Sequence, residues 1–248
     1  MTAIPAFLEA YFTAGADGSV RVGAEQASAF AKDVAGDYNP LHDVGARRFC
    51  VPGDLLCALV LGRYGLSERM TFAFRDMVRA DQSLWFPEAA TDTDSIAIHD
   101  ADGGVYLEVE RSGALCRDAD VIERFIREYV AFSGKTFPHY MIPVLEEHGV
   151  MFHPDRPLVI YESMGFELET FAFGQPALHL ADRALAIEGK RGTATLWFDM
   201  HEDGRSFGAG WKKLVISGLR DYDAERMRAF VEHFRRIKAA YEAERDGV

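Results

Sequence analysis

An acid and a base stand five residues apart in the segment Gly36-Asp37-Tyr38-Asn39-Pro40-Leu41-His42. Proline disfavours helical backbone at the residue before it, so the chain must turn at Asn39-Pro40. Asp37 and His42 can then project from either side of one bend toward a common point. A carboxylate and an imidazole held together beside a pocket are what a proton transfer requires. An aspartate at a turn has a second use, because its oxygens accept backbone amide hydrogens. Both uses are open for Asp37 on sequence grounds.

The elements around this corner must do the positioning. Before it, Ala27, Phe30, Ala31 and Val34 fall at helical spacing in residues 24–34. After it, Pro52-Gly53 opens a second helix through Leu55, Leu56, Ala58, Leu59, Val60 and Leu61 to Tyr64, with Gly65 to end it. That helix is apolar nearly all round, so it should be buried on most sides. Unpaired amides and the helix dipole at its start favour negative charge, which makes Gly53 a candidate donor to a developing oxyanion. Close packing alone would also require a glycine there. Strands are expected at 20–22, 71–74, 82–86, 95–99 and 105–111, the last two joined at Asp102-Gly103-Gly104.

The second half repeats the order. Residues 121–132 read as a helix, followed by Gly134-Lys135-Thr136-Phe137-Pro138-His139, then an apolar helix from Met141 to Gly149. Strands are expected at 157–161, 165–169, 178–180, 183–187, 193–200 and 211–217. Laid on the first half, residues 134–139 form a degraded copy of 36–42, one residue shorter. The expected division is a first module at 1–117, a second at 118–220 and a terminal helix at 221–248. Met227, Phe230, Val231, Phe234, Ile237 and Tyr241 give that helix an apolar stripe suited to packing on the body.

Composition narrows the function classes. The 248 residues carry a formal charge of −12, which argues against a nucleic-acid partner, since phosphate contacts need a basic footprint. Cys50, Cys57 and Cys116 match no zinc spacing and suit a reducing compartment, so a cytoplasmic protein with no metal is expected. No apolar run reaches membrane-spanning length. Neither a phosphate-binding glycine loop nor a Gly-x-Ser-x-Gly elbow occurs. Three basic pairs stand out, Arg47-Arg48, Lys190-Arg191 and Lys212-Lys213. Any of them could simply be solvated surface charge. Arg47 and Arg48, nearest the corner, are the candidates for holding the phosphates of an anionic ligand.

The Gly-Asp-x-Asn-Pro-Leu-His segment resembles the signature of the MaoC-like, (R)-specific enoyl-CoA hydratases, which have the hotdog fold. A helix wrapped by the antiparallel strands that follow it is that arrangement. The resemblance implies an α+β double hotdog, with two modules packed as an internal pseudo-dimer and one site, in the N-terminal half. It implies that Asp37 positions and deprotonates water and that His42 exchanges the proton. Water would add to the β-carbon of a trans-2-enoyl thioester, or leave a 3-hydroxyacyl thioester in reverse. Val51-Pro52-Gly53 is similar to the family's Val-His-Gly, whose glycine amide serves the carbonyl, so the resemblance gives that role to Gly53. Asn39 would fix the corner at the edge of the substrate. No cofactor is implied beyond CoA or an acyl carrier protein bearing the thioester. The partner would be a small-molecule acyl thioester in fatty acid metabolism, the protein itself a monomer with its pseudo-dimer or a homodimer.

Three departures qualify that likeness. Pro52 replaces the family histidine, Asp54 replaces an apolar residue, and the intact motif lies in the first half, unlike the eukaryotic double-hotdog hydratases. A carboxylate at Asp54 would repel a developing enolate unless it points to solvent. An acyl-thioester binding protein without turnover is therefore the alternative, and thioester hydrolysis a third. Over its whole length the chain is similar to a bacterial family of uncharacterised proteins that shares Arg48-Phe49-Cys50-Val51-Pro52-Gly53-Asp54 and Arg156-Pro157-Leu158-Val159-Ile160-Tyr161-Glu162-Ser163.

Overall fold

A computed structural model describes residues 4–88 and 93–246. In chain order the elements are β1 (Thr13–Ala14), β2 (Val20–Arg21), α1 (Ala24–Ala29), α2 (Gly53–Tyr64), β3 (Leu66–Phe74), β4 (Ser95–His99) and β5 (Val105–Cys116). There follow α3 (Ala119–Lys135), α4 (Ile142–Glu147), β6 (Val150–Met151), β7 (Val159–Leu168), β8 (Ala177–Glu188), β9 (Arg191–Glu202), β10 (Arg205–Ser217), β11 (Arg220–Asp221) and α5 (Ala224–Asp246). The fold is α+β. Among the described residues no helix is long and apolar enough to cross a membrane.

One antiparallel sheet dominates, with strand order β4-β5-β3-β7-β10-β9-β8. Its two halves meet where β3 pairs with β7, from Arg69 opposite Glu167 to Ala73 opposite Ser163. Gly165 sits in that seam. A Cβ there would lie 3.0 Å from the Met70 carbonyl oxygen and 3.2 Å from the Trp211 indole, so only glycine lets the strands close. This corrects the sequence reading of two strands at 157–161 and 165–169. Residues 162–164 do not break the strand, and β7 runs unbroken from Val159 to Leu168.

The expected strands at 178–180 and 183–187 likewise form one strand, β8, with a register shift between Leu180 and Asp182 that absorbs the extra residue. Residues 82–86 do not form a strand. Leu84 makes a single bridge to Val20 and Trp85 one to His99, so the segment crosses between two partners instead of running along either.

Helix α2 is buried along almost its whole length and packs against α3 over the sheet. Asp118 starts α3, its side chain accepting the Asp120 and Val121 amides. Residues 134–139 are not a second corner. The helix continues through a wider π turn at Thr136–Met141 into α4, and Thr136 Oγ1 donates back to the Phe132 carbonyl at 3.0 Å. Without an Asn-Pro dipeptide, nothing turns the chain there. Helix α5 lays Met227 and Phe234 on the body, with the Asp223 carboxylate accepting the Glu225 and Arg226 amides at its start.

Candidate functional site

Helix α1 widens into a π turn at Phe30–Val34, and the Asp37 amide then donates to the Ala31 carbonyl at 2.7 Å. Such widened turns are common beside functional sites. Gly36 adopts a φ of 63°, open to glycine at little cost. Gly134 on α3 faces it so closely that a Cβ on Gly134 would stand 2.5 Å from the Ala35 carbonyl oxygen and 2.6 Å from that of Gly36. Two glycines thus let the corner seat directly on α3. Asn39 clamps the other side: its Oδ1 accepts the Leu41 amide at 3.2 Å and its Nδ2 donates to the Val159 carbonyl at 3.0 Å. Both ends of that amide are engaged by backbone, so Asn39 holds the corner to β7.

The two uses of Asp37 prove compatible because its oxygens divide them. Oδ1 accepts the Asn39 amide at 2.9 Å, while Oδ2 lies 3.8 Å from His42 Nε2. His42 is oriented from behind, with Nδ1 2.8 Å from the Cys50 carbonyl oxygen. A carbonyl only accepts, so Nδ1 carries a hydrogen and Nε2 is the nitrogen turned toward Asp37. Burial by itself pushes the imidazole down. The Cys50 side chain and carbonyl, together with the Asp37 carboxylate, outweigh it and lift the imidazole to about 9. Burial raises the Asp37 carboxyl, opposed by His42. A gap of 3.8 Å is too long for a direct hydrogen bond, yet one water can sit about 2.8 Å from both atoms.

Asp37 and His42 open onto a cavity of about 270 Å³ that Gly53 also lines. As the first residue of α2, Gly53 offers an amide with no intrahelical acceptor. A Cβ there would stand 3.1 Å from the Phe74 ring and 3.2 Å from the Tyr161 ring, so the backbone is approachable only as glycine. The rest of the wall is largely apolar, with Leu56, Phe74, Met141 and Val159 from the body and Phe230 and Phe234 from α5.

Asp54 neither points to solvent nor stands alone. It is 2% exposed, and its Oδ1 accepts from Lys212 Nζ at 2.8 Å. Lys212 is fully buried on β10 and also donates to the Tyr129 carbonyl at 2.9 Å and to Ser133 Oγ at 2.8 Å. Its charge stands 4.4 Å from the Tyr129 ring centre. The carboxylate beside Gly53 is therefore matched by a cation.

Sequence reasoning missed Lys212 by grouping it with Lys213 as surface charge. A signal was present: alternation along β10 puts residue 212 on the face of Leu214, and a lysine there demands a carboxylate. Ser133, Tyr161 and the two α5 phenylalanines were also missed as cavity residues. Arg47 and Arg48 lie on an exposed turn outside the cavity lining, whereas Arg75 lines its rim and is bound by Glu108. Lys135 pairs with Glu128 at 3.7 Å and His139 is exposed, both away from the cavity. Cys50 and Cys57 are buried free thiols, and Cys116 is a partly exposed one.

The chain belongs to the family described as "Protein of unknown function (DUF3581)", whose profile matches residues 6–225. No curated protein sequence matches it. Among solved structures it is similar to a conserved protein of unknown function with hot dog fold from Alicyclobacillus acidocaldarius, at 10% identity and a TM-score of 0.47 over 85% of this chain and 98% of that one. It is also similar to an acyl-CoA thioesterase II TesB2 from Mycobacterium marinum, at 8% identity and a TM-score of 0.44, covering 87% and 99%. A third is the peroxisomal multifunctional enzyme type 2 from Drosophila melanogaster, at 8% identity and a TM-score of 0.44, covering 79% of this chain and 47% of that one.

Proposed function

We propose that this protein is a double-hotdog hydratase or dehydratase acting on a trans-2-enoyl or 3-hydroxyacyl thioester by acid–base chemistry. The observation that carries the reading is Asp37 Oδ2 facing His42 Nε2 across 3.8 Å at the wall of an apolar cavity. In the hydration direction, a water held between the two gives its proton to Asp37 as its oxygen bonds to the β-carbon. The carbon–carbon double bond shifts its electrons toward the carbonyl, and the enolate then takes the His42 proton at the α-carbon. Proton return from Asp37 to His42 resets the pair. The raised imidazole supplies the proton at neutral pH. The Gly53 amide faces the developing oxyanion, and Lys212 neutralises Asp54 behind it. Arg47 and Arg48, outside the cavity, are assigned to the phosphates of a CoA carrier.

The test is incubation of the full chain with crotonyl-CoA, following loss of the conjugated enoyl absorbance and release of free thiol. Absorbance loss without thiol supports hydration. Thiol release assigns hydrolysis instead, and thermal stabilisation by crotonyl-CoA without either change assigns a binding protein.

A further inference from the structure

We propose that Tyr161 is a second oxyanion donor, its phenolic hydrogen aimed at the acyl carbonyl oxygen beside Gly53 and set there by a buried relay from Lys212 through Ser133. The inference rests on the cavity being an acyl-thioester site, and it adds a catalytic residue from the other half of the chain.

A count of hydrogens leads to it. Lys212 Nζ has three N–H groups, and all three are spent, on Asp54, the Tyr129 carbonyl and Ser133 Oγ. Ser133 Oγ therefore accepts from the lysine. Among the described residues its other hydrogen-bond partner is the Tyr161 hydroxyl at 2.7 Å. Ser133 and Tyr161 hold two O–H hydrogens between them, and only one can lie in their mutual bond. One O–H remains, and both residues line the cavity.

Burial decides which side chain presents it. Ser133 is 3% exposed behind the wall, whereas Tyr161 is only partly buried. The order Lys212 to Ser133 to Tyr161 spends the serine hydrogen on the phenol oxygen and leaves the phenol hydrogen for the cavity. A cation at the head of the chain polarises each successive bond, so the last donor is stronger than it would be without the relay. Burial, with the Asp54 charge adding to it, holds the phenol well above its ordinary value, so it stays a donor. Position agrees, since the Tyr161 ring lies 3.2 Å from where a Gly53 Cβ would stand. The near edge of the ring and Gly53 thus wall the same part of the cavity. Ser133 and Lys212 touch no substrate and act as positioning residues.

The experiment uses the full chain with 4-dimethylaminocinnamoyl-CoA, an enoyl thioester whose absorbance shifts to the red when its carbonyl is polarised. Bound to the native protein it should shift red; Tyr161→Phe should lose most of that shift, and Ser133→Ala part of it. In crotonyl-CoA hydration Tyr161→Phe should lower kcat on the order of 10²-fold with KM little changed. A structural role for the phenol would instead lower the melting temperature and leave the bound spectrum red-shifted. An unchanged shift in Tyr161→Phe overturns the inference while leaving the hydratase reading intact. A Tyr161-dependent shift with no hydration by native protein removes turnover from the reading and upholds the donor. Absence of probe binding to native protein overturns both.

Discussion

Replacing Lys212 by methionine should destabilise the protein far more than a surface lysine change. The side chain is fully buried and its partner Asp54 is 2% exposed, so the substitution strands a carboxylate in the interior. Removing one member of a buried ion pair costs about 3–5 kcal/mol. Against a total stability of about 5–15 kcal/mol, that is a large fraction. At about 2–4 °C per kcal/mol for a chain of this size, the melting temperature should fall by roughly 6–20 °C. The pairing account makes a sharper demand on the double variant. Lys212→Met combined with Asp54→Leu removes both charges, leaving only the Tyr129 carbonyl and Ser133 Oγ to lose a partner. The two changes should therefore couple by roughly 2–3 kcal/mol, the double variant being more stable than the sum of the singles implies. Urea unfolding followed by circular dichroism, on the two singles and the double, measures this. Strictly additive losses would refute the reasoning, because they would mean that the two charges do not depend on each other.

Other consequences are open to direct test. The alkaline limb of the kcat/KM profile should fall near pH 9, where His42 loses its proton, and should move lower in Asp37→Asn, which lacks a carboxylate that holds that proton. The same elevation, from 6.5 to about 9, stabilises the fold fully below pH 6.5 and is lost as pH rises through about 9; Tm against pH, compared with His42→Gln, reads it out. Gly53→Ala should reduce turnover with a small loss of stability, since the new methyl meets Phe74 at 3.1 Å and Tyr161 at 3.2 Å. Steady-state kinetics beside a melting curve separates the two effects. Phe234→Ala should widen the apolar cavity and shift kcat/KM toward longer enoyl chains, measured across a chain-length series.

The corner was legible because its signals are local. Asn39-Pro40 dictates a turn, and Asp37 and His42 on either side of it do meet at one cavity wall. Helix α2 was legible too, since an all-apolar run opened by Pro52-Gly53 and closed by Gly65 has one reasonable reading. The failures came from contacts between residues distant in sequence. Residues 162–164 looked like a gap between two strands because nothing near them shows that β3 and β10 pair with that stretch. Residues 134–139 looked like a degraded corner because the order of elements around them repeats the first half, although the Asn-Pro that bends the chain is missing. Alternation along β10 shows that Lys212 needs a buried carboxylate, but at a separation of 158 positions nothing local says that it is Asp54. Ser133 and Tyr161 join the cavity only through the packing of α3 and β7 around it.

Hydration of crotonyl-CoA by native protein against Asp37→Asn tests the acid–base pair most directly. Asparagine keeps an oxygen for the Asn39 amide but cannot take a proton from water, so the rate should drop on the order of 10² to 10⁴-fold while thermal stabilisation by crotonyl-CoA persists. An undiminished rate in Asp37→Asn would show that the carboxylate serves only the turn.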